Sequence, residues 1–85
     1  MLADEPVLTM YTTTYCGDCH RSKTFLKRHG ISFLEINIER DADAADTVRA
    51  LNRGHQSVPT LVFADGTILT EPSNRQLAEK LDIAS

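Results

Sequence analysis

A Cys-x-x-Cys pair set between an apolar strand and an amphipathic helix constrains this chain more than any other feature. Val7-Leu8-Thr9-Met10-Tyr11-Thr12 reads as a buried strand rich in β-formers. Thr13, Thr14 and Tyr15 then lead into Cys16-Gly17-Asp18-Cys19. A helix fits from about Gly17 to His29, with Phe25 and Leu26 inward and Arg21, Lys23, Lys27 and Arg28 outward as a solvated face. Gly30 stops it at the C′ position, and Lys27, Arg28 and His29 suit the negative end of its dipole. Ile31 to Ile38 reads as the next strand, with Leu34, Ile36 and Ile38 on one face. A β-α-β unit of this kind is right-handed, with its two strands parallel.

Asp41 can cap a second helix running to about Leu51, which would bury Val48 and Leu51 before Asn52-Arg53-Gly54 ends it. Thr60 to Phe63 is a third strand, Asp65-Gly66 a hairpin turn, and Thr67 to Thr70 the returning antiparallel strand. Ser73 with Gln76 matches a capping box that opens a last helix through Leu81. The order β-α-β-α-β-β-α predicts an α/β protein: one four-stranded mixed sheet with three helices distributed over both faces. That architecture is the thioredoxin fold.

With 85 residues the chain fits a single domain, 1–85, and no second one. A net charge of −3 argues against nucleic acid as a partner. No stretch is long or apolar enough to span a membrane. Residues 1–6 carry two acids and no basic-then-apolar pattern, so no signal peptide is expected and the predicted location is cytoplasmic. That compartment keeps thiols reduced at rest. A disulfide across a two-residue gap would also restrain little of the unfolded chain. Both points suggest that the cysteines do chemistry rather than staple the fold.

The predicted strand-to-helix junction puts Cys16 near an N-cap, beside free backbone N–H groups and the positive end of a helix dipole. Cys19, three residues on, faces the same side and is expected to be more buried. Lowering a thiol pKa from about 8.5 to about 7 raises the thiolate fraction at neutral pH roughly 15-fold. Reduced nucleophilicity returns about fivefold of that gain, leaving about threefold in attack. The larger benefit is that Cys16 becomes a good leaving group when its mixed disulfide is resolved. Asp18 works against thiolate formation while suiting the helix start, so milder acidification is expected than in motifs without an acid.

Other chemistries use the same spacing. Cys16-Gly17-Asp18-Cys19-His20 matches the c-type haem attachment pattern, but the well-marked strands do not suit an all-helical haem shell. A closed zinc site needs four ligands. Beyond the pair the chain offers His20, His29 and His55, none in a second paired motif, and they read as surface residues. A metal- or cluster-binding module and a fold with inert cysteines remain as readings from a different class.

Three segments together resemble a glutaredoxin: Tyr15-Cys16-Gly17-Asp18-Cys19 after a strand, Ser57-Val58-Pro59-Thr60 before the hairpin, and Asp65-Gly66 within it. The aromatic ahead of Cys-Gly-x-Cys and the Leu69-Thr70-Glu71-Pro72-Ser73 segment most resemble the mycoredoxin-type branch. The resemblance covers nearly the whole chain. It implies a thiol–disulfide oxidoreductase that reduces mixed disulfides between proteins and a low-molecular-weight thiol, and protein disulfides as well. Cys16 would be the nucleophile and Cys19 the resolving thiol. The Val58-Pro59 bond would be cis, and Val58 N–H and C=O would pair with an extended substrate. Tyr15 would flank that substrate. The start of the last helix, at Ser73 and Asn74, would hold a carboxylate of the small thiol.

The pattern also departs from its relatives. Classical glutathione-using members carry Lys three residues before the nucleophile, where this chain has Thr13, and Gly-Gly where it has Thr70-Glu71. Redoxins that serve ribonucleotide reductase carry Gly-Phe-Arg-Pro after the hairpin, which is missing here. The co-substrate thiol is therefore left open among glutathione, mycothiol and bacillithiol, with no bound cofactor expected. The implied partners are that thiol, thiolated client proteins and a pyridine-nucleotide-dependent disulfide reductase upstream, acting on a monomer. A second redox reading is an electron carrier reduced directly by a thioredoxin-reductase-type flavoenzyme.

Overall fold

The elements follow the expected order in a computed structural model that describes residues 6–83. They are β1 (Leu8–Thr12), α1 (Gly17–Arg28), β2 (Phe33–Asn37), α2 (Ala42–Leu51), β3 (Thr60–Phe63), β4 (Ile68–Thr70) and α3 (Asn74–Leu81), with a short 3-10 turn at Ile38–Arg40. One sheet has the order β2-β1-β3-β4. β1 runs parallel to β2 and antiparallel to β3, and β3 pairs antiparallel with β4 across the Asp65-Gly66 turn. The turn needs a left-handed residue, and Gly66 supplies it at φ 91°.

β1 is central, so both of its faces are covered. On one face Leu8, Met10, Leu61 and Phe63 pack with Phe25 and Leu26 of α1 and with Leu77 and Ala78 of α3. On the other, Ala44, Ala45 and Val48 of α2 pack with Ile38, Tyr11 and Ile36. Each fully buried leucine among these contributes roughly 1.5–3 kcal/mol. α1 ends as predicted: Gly30 takes φ 68°, its N–H donates to Lys27 O at 3.1 Å, and Ile31 N–H donates to Leu26 O at 2.9 Å. This pair of bonds is the Schellman closure.

Three sequence expectations need correction. The second strand is shorter than residues 31–38, because the chain turns into the 3-10 segment at Ile38. Leu34 does not share a buried face with Ile36 and Ile38: it is half exposed on the edge strand β2, whereas Ile36 near the strand's end and Ile38 just beyond it pack against α2. Leu51 is exposed where burial was expected. The inward position at that end of α2 belongs instead to Asn52. Its Nδ2 donates to Val48 O (2.9 Å) and Thr60 Oγ1 (3.1 Å), and its Oδ1 accepts from Thr70 Oγ1 (2.7 Å). One amide thereby fastens α2 to β3 and β4.

Candidate active site

Cys16 is the N-cap of α1, with extended backbone at φ −142°. The helix start leaves N–H groups without backbone partners, and Cys16 Sγ accepts one of them, from Cys19, at 3.0 Å. Cys16 is half-buried, whereas Cys19 is 2% exposed. The two are joined as a disulfide with a Cα–Cα distance of 5.2 Å. The outer sulfur is therefore the one a partner can reach, and the inner one is the sulfur released when the bond opens.

The segment before the cysteines is pinned to the far end of β2. Thr14 N–H donates to Glu39 Oε1 at 2.9 Å, and Asn37 Nδ2 donates to Thr14 Oγ1 at 3.1 Å. The Thr14 hydrogen bonds hold the Glu39 carboxyl below its usual range. Tyr15, at 95% exposure, projects from this anchored segment next to Cys16.

Opposite Cys16 stands the loop 57–59. Its Val58-Pro59 bond is cis, and Pro59 is fully buried. Thr60 Oγ1 donates to Ser57 O at 2.7 Å, and Glu71 N–H donates to Pro59 O at 2.8 Å, so both ends of the loop are held. Glu71 makes that bond from a left-handed conformation, φ 51°. Val58 O lies 4.0 Å from Cys16 Sγ. With no S–H in the disulfide this is a contact, not a hydrogen bond. Among the described residues the Val58 N–H has no partner, which leaves a short free strand edge beside the cysteines.

The start of α3 reaches the same helix by another route. Ser73 forms the full capping box: its N–H donates to Gln76 Oε1 (2.8 Å) and its Oγ accepts from Gln76 N–H (3.1 Å). Ser73 N–H is thereby engaged, and the unengaged N–H groups at this helix start begin at Asn74. Arg21, two residues past Cys19, donates to Asn74 Oδ1 (3.2 Å) and Pro72 O (3.4 Å) and pairs with Asp18 (3.3 Å). By sequence alone Arg21 belongs to a plain solvated face. Nothing local marks it as the link between α1 and α3, because Pro72 and Asn74 lie 51 and 53 residues away. A cleft of about 260 Å³ runs between these helices, lined by His20, Arg21, Thr24, Phe25, Arg28 and Asn74.

The histidines do not converge. His29 lies against Phe25 with ring centroids 4.5 Å apart and planes tilted by 47°, and His20 and His55 are exposed. Among the described residues no group of three or more His, Cys, Asp or Glu side chains is placed to hold a metal ion. Nor, among them, is any helix long and apolar enough to cross a membrane.

With this geometry in hand, the family model for glutaredoxins matches residues 8–69, which span both cysteines, the cis-proline loop and the hairpin. The chain belongs to the glutaredoxin family. A glutaredoxin assignment also stands on a Mycobacterium tuberculosis (strain H37Rv) relative that is 46% identical over 74 residues, covering 87% of this chain and 88% of that one. Mycoredoxin 1 of Corynebacterium glutamicum is 30% identical over 76 residues, covering 88% and 92%. Among solved structures, the glutaredoxin-like NrdH-redoxin of Escherichia coli superposes with a TM-score of 0.75 at 27% identity, covering 92% and 97%. That protein is described as having a thioredoxin-like activity profile. The present glutaredoxin has the thioredoxin-like fold of these neighbours and is a thiol–disulfide oxidoreductase of the glutaredoxin and mycoredoxin type.

Proposed function

We propose that this glutaredoxin, acting as one domain over residues 1–85, reduces mixed disulfides between client proteins and a low-molecular-weight thiol, with Cys16 as nucleophile and Cys19 as resolving thiol. The observation that carries the reading is the asymmetry of the pair: Cys16 Sγ caps α1 at the surface, while Cys19 lies beneath it. Cys16 thiolate attacks the small thiol's sulfur in the mixed disulfide, and the client leaves as its thiolate. Cys19 thiolate then attacks Cys16 Sγ and expels the small thiol. The product is the Cys16–Cys19 disulfide present in this structure. Two electrons, from two small-thiol molecules or from a pyridine-nucleotide-dependent disulfide reductase, restore the dithiol. In the monothiol variant of the cycle a second small thiol clears Cys16 directly.

The free Val58 N–H and C=O support strand-like pairing with an extended substrate, flanked by the exposed Tyr15. The open N–H groups at the start of α3, at Asn74 beside the Ser73 cap, support binding of a carboxylate of the small thiol. We place the protein in the cytoplasm as a monomer with mycothiol, bacillithiol or glutathione as co-substrate. The chemistry needs no bound cofactor. A second reading, an electron carrier reduced directly by a thioredoxin-reductase-type flavoenzyme, draws support from the likeness to NrdH-redoxin.

Four measurements decide among these. Cys16→Ser is expected to abolish turnover on every disulfide substrate, and a variant with normal rates would refute the mechanism. Cys19→Ser is expected to keep small-thiol turnover and lose reduction of protein disulfides. Mass spectrometry of the adduct trapped on Cys19→Ser in cells identifies the thiol. Efficient reduction by thioredoxin reductase and NADPH without any small thiol would favour the carrier reading.

A further inference from the structure

Ser22 Oγ is fully buried and, among the described residues, has no hydrogen-bond partner. A serine inside a helix ordinarily bonds the carbonyl three or four residues back. An unpaired buried hydroxyl costs stability, and a residue that keeps one invites a functional explanation. Ser22 lies three residues after Cys19, so the two side chains are neighbours on one helix face, with Cβ atoms about 5–6 Å apart. Helical side chains lean toward the N-terminus, which carries the Ser22 hydroxyl toward the Cys19 turn. At that separation an Oγ–Sγ hydrogen bond is within reach after a rotation about χ1.

The geometry points to Ser22 as a positioning residue that donates its hydroxyl hydrogen to Cys19 Sγ whenever the disulfide is open. The inference rests on the roles proposed above for Cys16 and Cys19. In the oxidised pair Cys19 sulfur is neutral and bonded to Cys16, a weak acceptor, so the hydroxyl stands idle. When a small thiolate attacks Cys16 Sγ, the new bond forms there and the Cys16–Cys19 bond breaks. Both bonding electrons leave with Cys19, which becomes a thiolate at a site that is 2% exposed. A buried anion without a donor is strongly disfavoured. Ser22 is the unengaged donor on the same helix face. In the reverse step the same bond holds Cys19 ionised and aimed at the Cys16 mixed disulfide. No other titratable side chain of α1 on that buried face competes, since its remaining buried positions are Phe25 and Leu26.

The test is Ser22→Ala, a substitution that helix propensity favours and that removes an unpaired polar group. Opening of the Cys16–Cys19 disulfide by a small thiol, followed by stopped flow, is expected to slow about fivefold. Alkylation of Cys19 in the reduced protein, resolved from Cys16 by peptide mass spectrometry at pH 8, should slow by a similar factor. The oxidised form should melt at the same temperature or higher. In a Cys19→Ser background the effect of Ser22→Ala on small-thiol turnover should vanish, because no Cys19 thiolate forms. Unchanged opening and alkylation rates in Ser22→Ala would overturn the inference while leaving Cys16 as nucleophile. An equal loss in the Cys19→Ser background would also overturn it, by showing a merely structural role. Full activity of Cys16→Ser would instead remove the reading on which it rests.

Discussion

Lys23 on α1 sets its Nζ 3.0 Å from Glu35 Oε2 on the edge strand β2, and Thr12 Oγ1 donates to the same oxygen at 2.9 Å. The pair ties the helix that carries the cysteines to the open edge of the sheet. Burial raises the Glu35 carboxyl, but the hydrogen bonds from Lys23 and Thr12 and the charges of Lys23 and Lys27 outweigh it, so the group lies below its ordinary 4.5. A depressed carboxyl adds stability above the unfolded value and loses it as pH falls through the folded one. Both side chains are about one-third exposed, so solvent screening holds the contribution to ~0.5 kcal/mol. Glu35→Gln should therefore be less stable than wild type by that amount at neutral pH. The difference should shrink as pH falls well below the ordinary carboxyl value of 4.5 and through the lowered folded one. Urea midpoints at neutral and acidic pH check both statements, and a difference that grew on acidification would contradict the sign.

Asn52 should matter more than its half-buried place suggests. Removing its amide takes one hydrogen bond from each of Val48 O, Thr60 Oγ1 and Thr70 Oγ1 at once. Asn52→Ala is expected to lower unfolding stability by about 2 kcal/mol. Thr60 Oγ1 also closes the loop that presents Val58, so the substrate KM should rise as the loop loosens. Chemical denaturation and steady-state kinetics read the two effects separately. A stability loss under about 0.5 kcal/mol would show that water replaces the amide without penalty.

Ser73 caps the helix start proposed to hold the small thiol, and one substitution tests both the cap and that site. Ser73→Ala breaks the capping box and should cost about 1 kcal/mol. Fraying at the start of α3 would also displace Asn74, the partner of Arg21. The KM for the small thiol should therefore rise, while the rate at which a neutral reagent alkylates Cys16 stays put. An unchanged KM alongside the stability loss would confine Ser73 to capping.

Local sequence determined the order of the elements, the Gly30 and Ser73 ends of their helices, the hairpin at Asp65-Gly66, and Cys16 at the opening of α1 with Cys19 one turn beneath it. Each of those depends on a few neighbouring residues: a periodicity, a cap, a residue that tolerates positive φ. Only tertiary structure decided that β2 is an edge and so leaves Leu34 in water. It also decided that Asn52 rather than Leu51 turns inward, that Arg21 reaches Asn74, and that Ser22 is sealed in with no hydrogen-bond partner among the described residues. Those outcomes depend on which segments meet after long loops close, and the spacing along the chain carries no record of such pairings. The contact of Val58 O with Cys16 Sγ belongs to both. The resemblance of the Ser57-Val58-Pro59-Thr60 segment announced it, and the packing of two elements forty-two residues apart brought it about.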